Sequence, residues 1–305
     1  MFSISKVTEI YCICDDFCKE FDKEVSQTAL EERKYRGCGK RKPSLCDAEI
    51  ITILLSFHTN TYRNFKHYYI HRIKGVLRKE FPHAPSYSRF ITLIKRIGIK
   101  MALFLRVCLM GECTGISFID STCIPVCHNK RISRNKVFKG IAEIGKSTMG
   151  WYFGFKLHLI CNEKGELLNF VLTKANVDDR NERIFTAFEK DLFGKLYADK
   201  GYISKALFER MWCNGVHLVT GLRSNMKNKL MGFWDKIMLR KRSIIETIND
   251  SLKNARQLVH SRHRSLDGFL VNVLFALAAY CCFEKKPSIN IDFNLEEDNT
   301  QIRLF

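Results

Sequence analysis

The 305-residue sequence predicts an α+β protein: a helical part over residues 1–112, a part of mixed strands and helices (α/β in character) over 113–284, and a polar, flexible tail over 285–305. Three observations carry this. Apolar residues recur at helical spacing through the first 110 positions. From residue 116 they alternate with period two, and the segment 111–115 between the two regimes begins and ends in glycine. With 46% hydrophobic residues the chain can bury one or two full cores, which excludes a disordered protein.

Residues 4–30 form an amphipathic helix by pattern, with Ile4, Val7, Ile10, Cys14, Phe17, Phe21 and Val25 on one side. A basic, glycine-containing link covers 34–43. Ser44 then reads as an N-cap, with Asp47 three residues on, opening a helix through Leu45, Ala48, Ile51, Leu55 and His58. Residues 62–80 mix aromatic side chains with Arg63, Lys66, Arg72, Lys74, Arg78 and Lys79. Pro82 and Pro85 end that segment, and Ser86 or Ser88 opens the next helix, over Phe90, Leu93, Ile94, Ile97 and Phe104. Short helices followed by a cation-rich aromatic one suit a helix-turn-helix DNA reader, and equally an ordinary bundle with a solvated face. His67 and His71 lack the intervening glutamate of a zinc helix and read as surface residues.

In the second part, residues 116–119 form a short strand with Asp120 at its end, followed by Ser121 and Thr122. A basic loop carries Lys130, Arg131, Arg134, Lys136, Lys139 and Lys146. The next strand alternates cleanly: Phe153, Phe155, Leu157 and Leu159 face one way, Lys156 and His158 the other. A turn at 162–165 returns the chain as a partner strand over 167–173. A helix is expected over 181–193, a strand over 195–198 that again ends in an acid, Asp199, then a helix over 206–213 and a strand over 216–220. The helix over 241–253 follows, with Ile245, Ile248, Leu252, Ala255 and Val259 on its apolar stripe and Arg242, Glu246, Asn249 and Lys253 on another face. A buried helix over 266–283 closes the part.

The formal net charge of +18 and a pI near 9.4 favour a polyanionic partner, because cations that neutralise phosphates release counterions. A membrane is not expected: the longest apolar run, 269–283, is interrupted by Asn272 and too short to span. Residues 1–30 lack the pattern of a signal peptide, so a cytoplasmic location with reduced thiols is expected for the 13 cysteines. Cys14 and Cys18 continue an apolar stripe and read as core. Cys123, Cys127 and His128 lack the second half of a finger-like zinc set.

Glu246 lies between two cations, in a stretch (223–264) with eleven Lys/Arg against three acids. Alone, the Arg242–Glu246 spacing is that of a surface ion pair worth a few tenths of a kcal/mol. Two strand-end aspartates, Asp120 and Asp199, change its meaning. Hard divalent cations want carboxylate oxygens, and two ions about 3.5–4 Å apart suit phosphoryl transfer. Each acid by itself is a weak signal, since a strand-end Asp is often a turn residue.

The motifs FIDST (118–122), CHNKR (127–131), KVFKG (136–140), GKSTMGW (145–151), GFKLH (154–158), NVDDR (176–180), DKGY (199–202) and RKRSIIE (240–246), running on to LKN (252–254), resemble those of bacterial DDE transposases, specifically the insertion sequence 982 family. The resemblance covers about 35–289. It implies an RNase H-like catalytic domain, a mixed central sheet flanked by helices, preceded by a helical DNA-end-binding domain. It implies that Asp120, Asp199 and Glu246 are the catalytic, metal-binding triad, holding two Mg²⁺ ions with Mn²⁺ as a substitute.

The implied activity is metal-dependent cleavage at terminal inverted repeats and 3′-hydroxyl strand transfer into target DNA. The implied partners are double-stranded DNA, both transposon ends and target, and a second copy of the chain, as a homodimer or a higher assembly. A bacterial, nucleoid-associated setting goes with them. Many insertion-sequence transposases carry Tyr, two residues, Arg, three residues, Glu, six residues, Lys; Arg242, Glu246 and Lys253 match, whereas the tyrosine position is Leu239. The resemblance makes Arg242 and Lys253 phosphate contacts. Lys200, Lys136 and Lys139 join them as candidate DNA-binding residues, and Asp178 and Asp179 read first as a polar turn. Two alternatives remain beside this reading: an inactive relative that binds DNA without cutting, and an RNase H-like nuclease that cuts without joining.

Overall fold

A computed structural model of the chain describes residues 3–29, 44–224, 226, 231–259 and 263–289. Six strands, β1 (Ile116–Cys127), β2 (Glu143–Ser147), β3 (Gly150–Asn162), β4 (Leu167–Lys174), β5 (Gly194–Ala198) and β6 (Val216–Thr220), build one mixed sheet in the order β2-β3-β1-β5-β6. Strand β4 also pairs with β3, farther along it than β2 does. The β1, β2, β3 and β4 pairings are antiparallel, and β1, β5 and β6 are parallel to one another.

Side-chain alternation gives this sheet two buried faces. One sends Phe118, Leu157, Leu159, Cys161 and Tyr197 into a core shared with α9 (Ser243–Asp250) and α10 (Leu266–Cys281). The other buries Ile119, Ile160, Leu196 and Ala198 under α6 (Glu182–Phe188) and α7 (Lys205–Cys213). A mixed central sheet with helices on both faces is the arrangement that the resemblance implies.

The N-terminal helices are α1 (Ile4–Ala29), α2 (Asp47–His58), α3 (Phe65–Tyr68) running into a π-helical stretch (Tyr69–Val76), α4 (Tyr87–Ile94) and α5 (Gly98–Phe104). Helix α1 buries Val7, Ile10, Cys14 and Cys18 along its stripe, and α4 is capped by Ser86 as the pattern suggests. Helix α2 starts after Cys46 rather than Ser44. The Cys46 thiol accepts from the Glu49 amide while the Glu49 carboxylate accepts the Cys46 N–H at 2.7 Å, a reciprocal cap that the Ser44–Asp47 spacing does not form. Helix α10, apolar nearly all round, packs against both α2 and α5, so one core runs from the helical part into the sheet. No helix among the described residues is long and apolar enough to cross a membrane.

Several elements differ from their sequence-based expectation. Strand β1 continues through Asp120 to Cys127, because its pairing with β3 outlasts its shorter parallel pairing with β5; Asp120 is therefore mid-strand. Strand β2 lies inside the segment expected as a basic loop. Lys156 and His158 do not face solvent: His158 is fully buried, since residues 173–179 fold over that face. The helix expected over 181–193 ends at Phe188 and tightens into a 3₁₀ turn. The late helix is three pieces, α8 (Phe233–Lys241), α9 and a π-helical turn (Ser251–Ala255), with Arg242 at the first break.

Past α10, Ile289 donates to the Glu163 carbonyl at 2.8 Å, tying residues 287–289 to the β3–β4 turn. That turn needs Gly165: its φ is +72°, and an added Cβ would meet the Pro287 carbonyl oxygen at 2.0 Å. The link at 34–43 and the tail from 290 lie outside the described residues.

Candidate functional site

Strands β1 and β5 run side by side in the parallel register Ser117 to Leu196 and Phe118 to Tyr197, and the Phe118 and Tyr197 rings stack with centroids 5.6 Å apart. Two residues beyond that last pair stand Asp120 and Asp199. Alternation returns both to the face of Phe118 and Tyr197, on strands about 4.8 Å apart. The backbone at Asp199 is still extended, at φ −72° and ψ 165°, before a 3₁₀ turn (Lys200–Tyr202) begins. Asp199 is exposed; Asp120 is largely covered by α9.

Helix α9 brings the third acid to the same face. Its buried stripe, Ile244, Ile245 and Ile248, seats it on the sheet, leaving Glu246 exposed on the side of Arg242. One Arg242 guanidinium nitrogen lies 2.5 Å from Glu246 Oε1 and another 3.8 Å from Asp120 Oδ1. Asn249 Nδ2 donates to Asp120 Oδ2 at 3.0 Å, and the buried Asn249 Oδ1 has no hydrogen-bond partner among the described residues. Burial pushes the Asp120 carboxyl up, to about 6. The neighbouring Glu246 charge adds to this, whereas Arg242, the Ser121 amide and Asn249 pull it back.

Asp120 and Glu246 thus share one guanidinium, and Asp199 stands apart from it. Among the described residues no three His, Cys, Asp or Glu side chains are close enough to hold one metal ion. The donors nevertheless suit a hard divalent cation. They are carboxylate oxygens, and a buried amide oxygen without a donor lies beside the buried one. Arg242 supplies the positive charge between two of them.

The opposite face of β1 and β3 carries a polar cluster. Lys156 Nζ donates to the Val177 carbonyl at 2.9 Å and to Asp179 Oδ1 at 3.0 Å, and His158 Nε2 lies 2.9 Å from Thr173 Oγ1. Burial drives His158 down to about 4. Burial, with the charges of Asp179 and Asp120 adding to it, holds the Tyr202 hydroxyl well above its usual pKa. Asp178 instead pairs outward with Arg180 at 2.7 Å.

Of the other candidate residues, Lys136 and Lys139 are exposed on either side of Phe138, which is buried against Phe155 and Phe269 and pins their loop. Lys200 is exposed next to Asp199, with its carbonyl accepting from Arg223 at 3.1 Å. Lys253 is partly exposed in the turn after α9, and Leu239 is partly buried against the core. His67 and His71 are exposed with ring centroids 4.2 Å apart. Sequence reasoning put Asn249 on the polar face without a role; its position three residues after Glu246 is the signal that places it over Asp120. Neither the Arg223 contact nor the Lys156–Asp179 pair has a local sequence signal, since each joins residues more than 20 positions apart.

More than half of the chain, residues 110–266, matches the family described as "Transposase DDE domain". Among solved structures the chain is similar to a piggyBac transposase in a synaptic complex with hairpin DNA, at 11% identity over 92% of this chain and 72% of that chain, with a TM-score of 0.43. It is also similar to the Mos1 strand transfer complex, at 11% identity over 87% of this chain and 84% of that chain, with a TM-score of 0.23. No curated protein matches it.

Proposed function

The chain belongs to the transposase DDE domain family, and from that premise we propose that it cuts DNA at the terminal inverted repeats of a bacterial insertion sequence, of the 982 family, and joins the freed ends to target DNA. Two observations support this reading in a chain of net charge +18: Asp120 and Asp199 stand two residues beyond the paired Phe118 and Tyr197 on adjacent parallel strands, and one Arg242 guanidinium lies between Asp120 and Glu246. Hydrolysis of a phosphodiester frees a 3′-hydroxyl at the element end. That hydroxyl then attacks a target phosphodiester, and the displaced 3′-oxygen of the target leaves.

In this reading Asp120, Asp199 and Glu246 hold two Mg²⁺ ions, for which Mn²⁺ can substitute. Bound there, the ions supply Lewis acidity and neutralise charge at the reacting phosphate. The chain's own residues orient the acids. Asn249 orients Asp120 by its hydrogen bond, and the Phe118–Tyr197 stack spaces the two strands two residues before the aspartates. Arg242, Lys253, Lys200, Lys136 and Lys139 contact DNA phosphates, and a phosphate that recruits Arg242 draws it away from Glu246. The helical region 1–112 recognises the element ends. Two ends cut together require at least two copies of the chain, working in the cytoplasm at the nucleoid.

The test uses duplexes taken from the DNA flanking the coding sequence. With Mg²⁺ the protein is expected to nick at the terminal repeat and to insert a pre-cut 3′-hydroxyl end into a second duplex. Cleavage without joining would make it a nuclease, and binding without any product would make it an inactive relative.

A further inference from the structure

Beyond Phe153, where the β1 pairing stops, no other described strand pairs with β2 and β3, which form a two-stranded ribbon with pairs Gly145 to Tyr152, Lys146 to Trp151 and Ser147 to Gly150. Its tip carries Met149, 98% exposed, and Trp151, 62% exposed. Large apolar side chains scattered over a surface need no explanation, but here two of them stand together at the end of a held element. Ser147 Oγ donates to the Gly150 carbonyl at 3.0 Å and accepts the Met149 amide at 3.2 Å, closing the turn. Gly150 has φ +112°, which an L side chain would strain. Asn129 donates to the Trp151 carbonyl at 2.7 Å and ties the ribbon to the segment after β1. Gly145 passes so close to Ala175 that an added Cβ would lie 2.3 Å from its carbonyl oxygen.

The charge around this tip has one sign. Lys130, Arg131, Arg134, Lys136, Lys139 and Lys146 are all exposed, and the one acid in residues 130–146, Glu143, is paired with Lys174 at 3.4 Å. Lys146 Nζ lies 5.7 Å from the Trp151 ring centroid, joining cation and ring in one surface. A ligand that matches both is a polyanion with flat apolar faces. Nucleic acid has this chemistry: phosphates for the cations, base faces for the tip. A two-stranded ribbon also has the dimensions to enter a groove of B-form DNA.

We propose that Met149 and Trp151 form a wedge that stacks on a base of the bound duplex while the surrounding cations hold the phosphates. The proposal rests on the DNA-binding reading above. Strand β1 runs seven residues past Asp120 before the ribbon separates, about 23 Å at 3.3 Å per residue. The wedge therefore meets the duplex several base pairs from the site of cleavage, acting on grip and register rather than on the reacting phosphate.

The test titrates the full chain into duplexes of the terminal repeat that carry 2-aminopurine at successive positions. It reads fluorescence for stacking and anisotropy for binding. The wild-type protein is expected to change the fluorescence about threefold or more at one or two adjacent positions and to leave the others unchanged. Trp151→Ala should abolish that signal and weaken binding about fivefold or more, with no change in the slope of affinity against salt, because the lost ring carries no charge. Met149→Ala, at a site where nothing packs, should reduce the signal in a protein whose melting temperature is unaltered, and Lys146→Gln should lower the salt slope. A complex formed with no 2-aminopurine response at any position, or a response that survives both Trp151→Ala and Met149→Ala, overturns the wedge and leaves the transposase reading standing. Absence of any binding to these duplexes overturns both.

Discussion

The Arg242 guanidinium sits 2.5 Å from Glu246 Oε1, and this pair reaches across to Asp120, 3.8 Å away. The i,i+4 spacing gives the pair, and the seating of α9 on β1 gives the reach. One guanidinium of the same protein thereby offsets part of the charge of two of the three acids proposed to hold metal.

Arg242→Ala should free both carboxylates for a cation. In the absence of DNA its affinity for Mn²⁺, measured by calorimetry, is expected to rise severalfold, with about fivefold as the ceiling for a partly exposed ion pair. A weaker Mn²⁺ affinity would mean that Arg242 orders the acids rather than occupying their place.

Phe118→Ala removes a fully buried ring from the stack that joins β1 and β5 two residues before Asp120 and Asp199. The expected loss is about 3–5 kcal/mol, measured by urea unfolding. Catalytic activity should fall even in conditions where the variant is folded, because the strands that carry the two aspartates lose their spacer.

Acid should destabilise the fold before any carboxylate of ordinary pKa is protonated. His58, whose Nδ1 lies 2.7 Å from the Arg256 carbonyl, and His158 are both buried and both held down to about 4. The fold favours their neutral forms, so this stability is present above the unfolded value near 6.5 and is lost as pH falls from there toward 4. Each histidine contributes on the order of 3 kcal/mol at most. Asp120, raised to about 6, acts in the opposite sense: the stability of its protonated form is lost as pH rises from about 4 to 6. Thermal melts across pH 4–7 should show a falling acid limb that becomes shallower in His58→Gln, and no change in that limb would contradict the assignment.

Much of the fold was legible in the sequence, since period-two and helical patterns mark elements whose two sides differ. The partner strand 167–173, the strands at 195–198 and 216–220 and the last helix stand close to where their patterns put them. The departures have physical causes. Strand β2 is half exposed and carries glycine and charge, so no apolar alternation announces it. Lys156 and His158 look like a solvent face until residues 173–179 fold over them, a long-range event invisible to local periodicity. Asp120 reads as a strand end because the apolar run stops there, but antiparallel pairing carries the backbone on to Cys127. For the site, the spacing of Arg242 and Glu246 foretold their pairing. What it left out was that the same guanidinium reaches Asp120, and that Asn249 covers that carboxylate.

Asp120, Asp199 and Glu246 are proposed to act together, and Mg²⁺-dependent strand cleavage by Asp120→Asn, Asp199→Asn and Glu246→Gln on duplexes carrying the terminal repeats tests this. Each variant is expected to bind the duplex and to lose cleavage by about three orders of magnitude or more, the scale on which acids that act as a unit fail when one is removed. A variant that binds and cuts at the wild-type rate would contradict the assignment of that residue, and with it the triad.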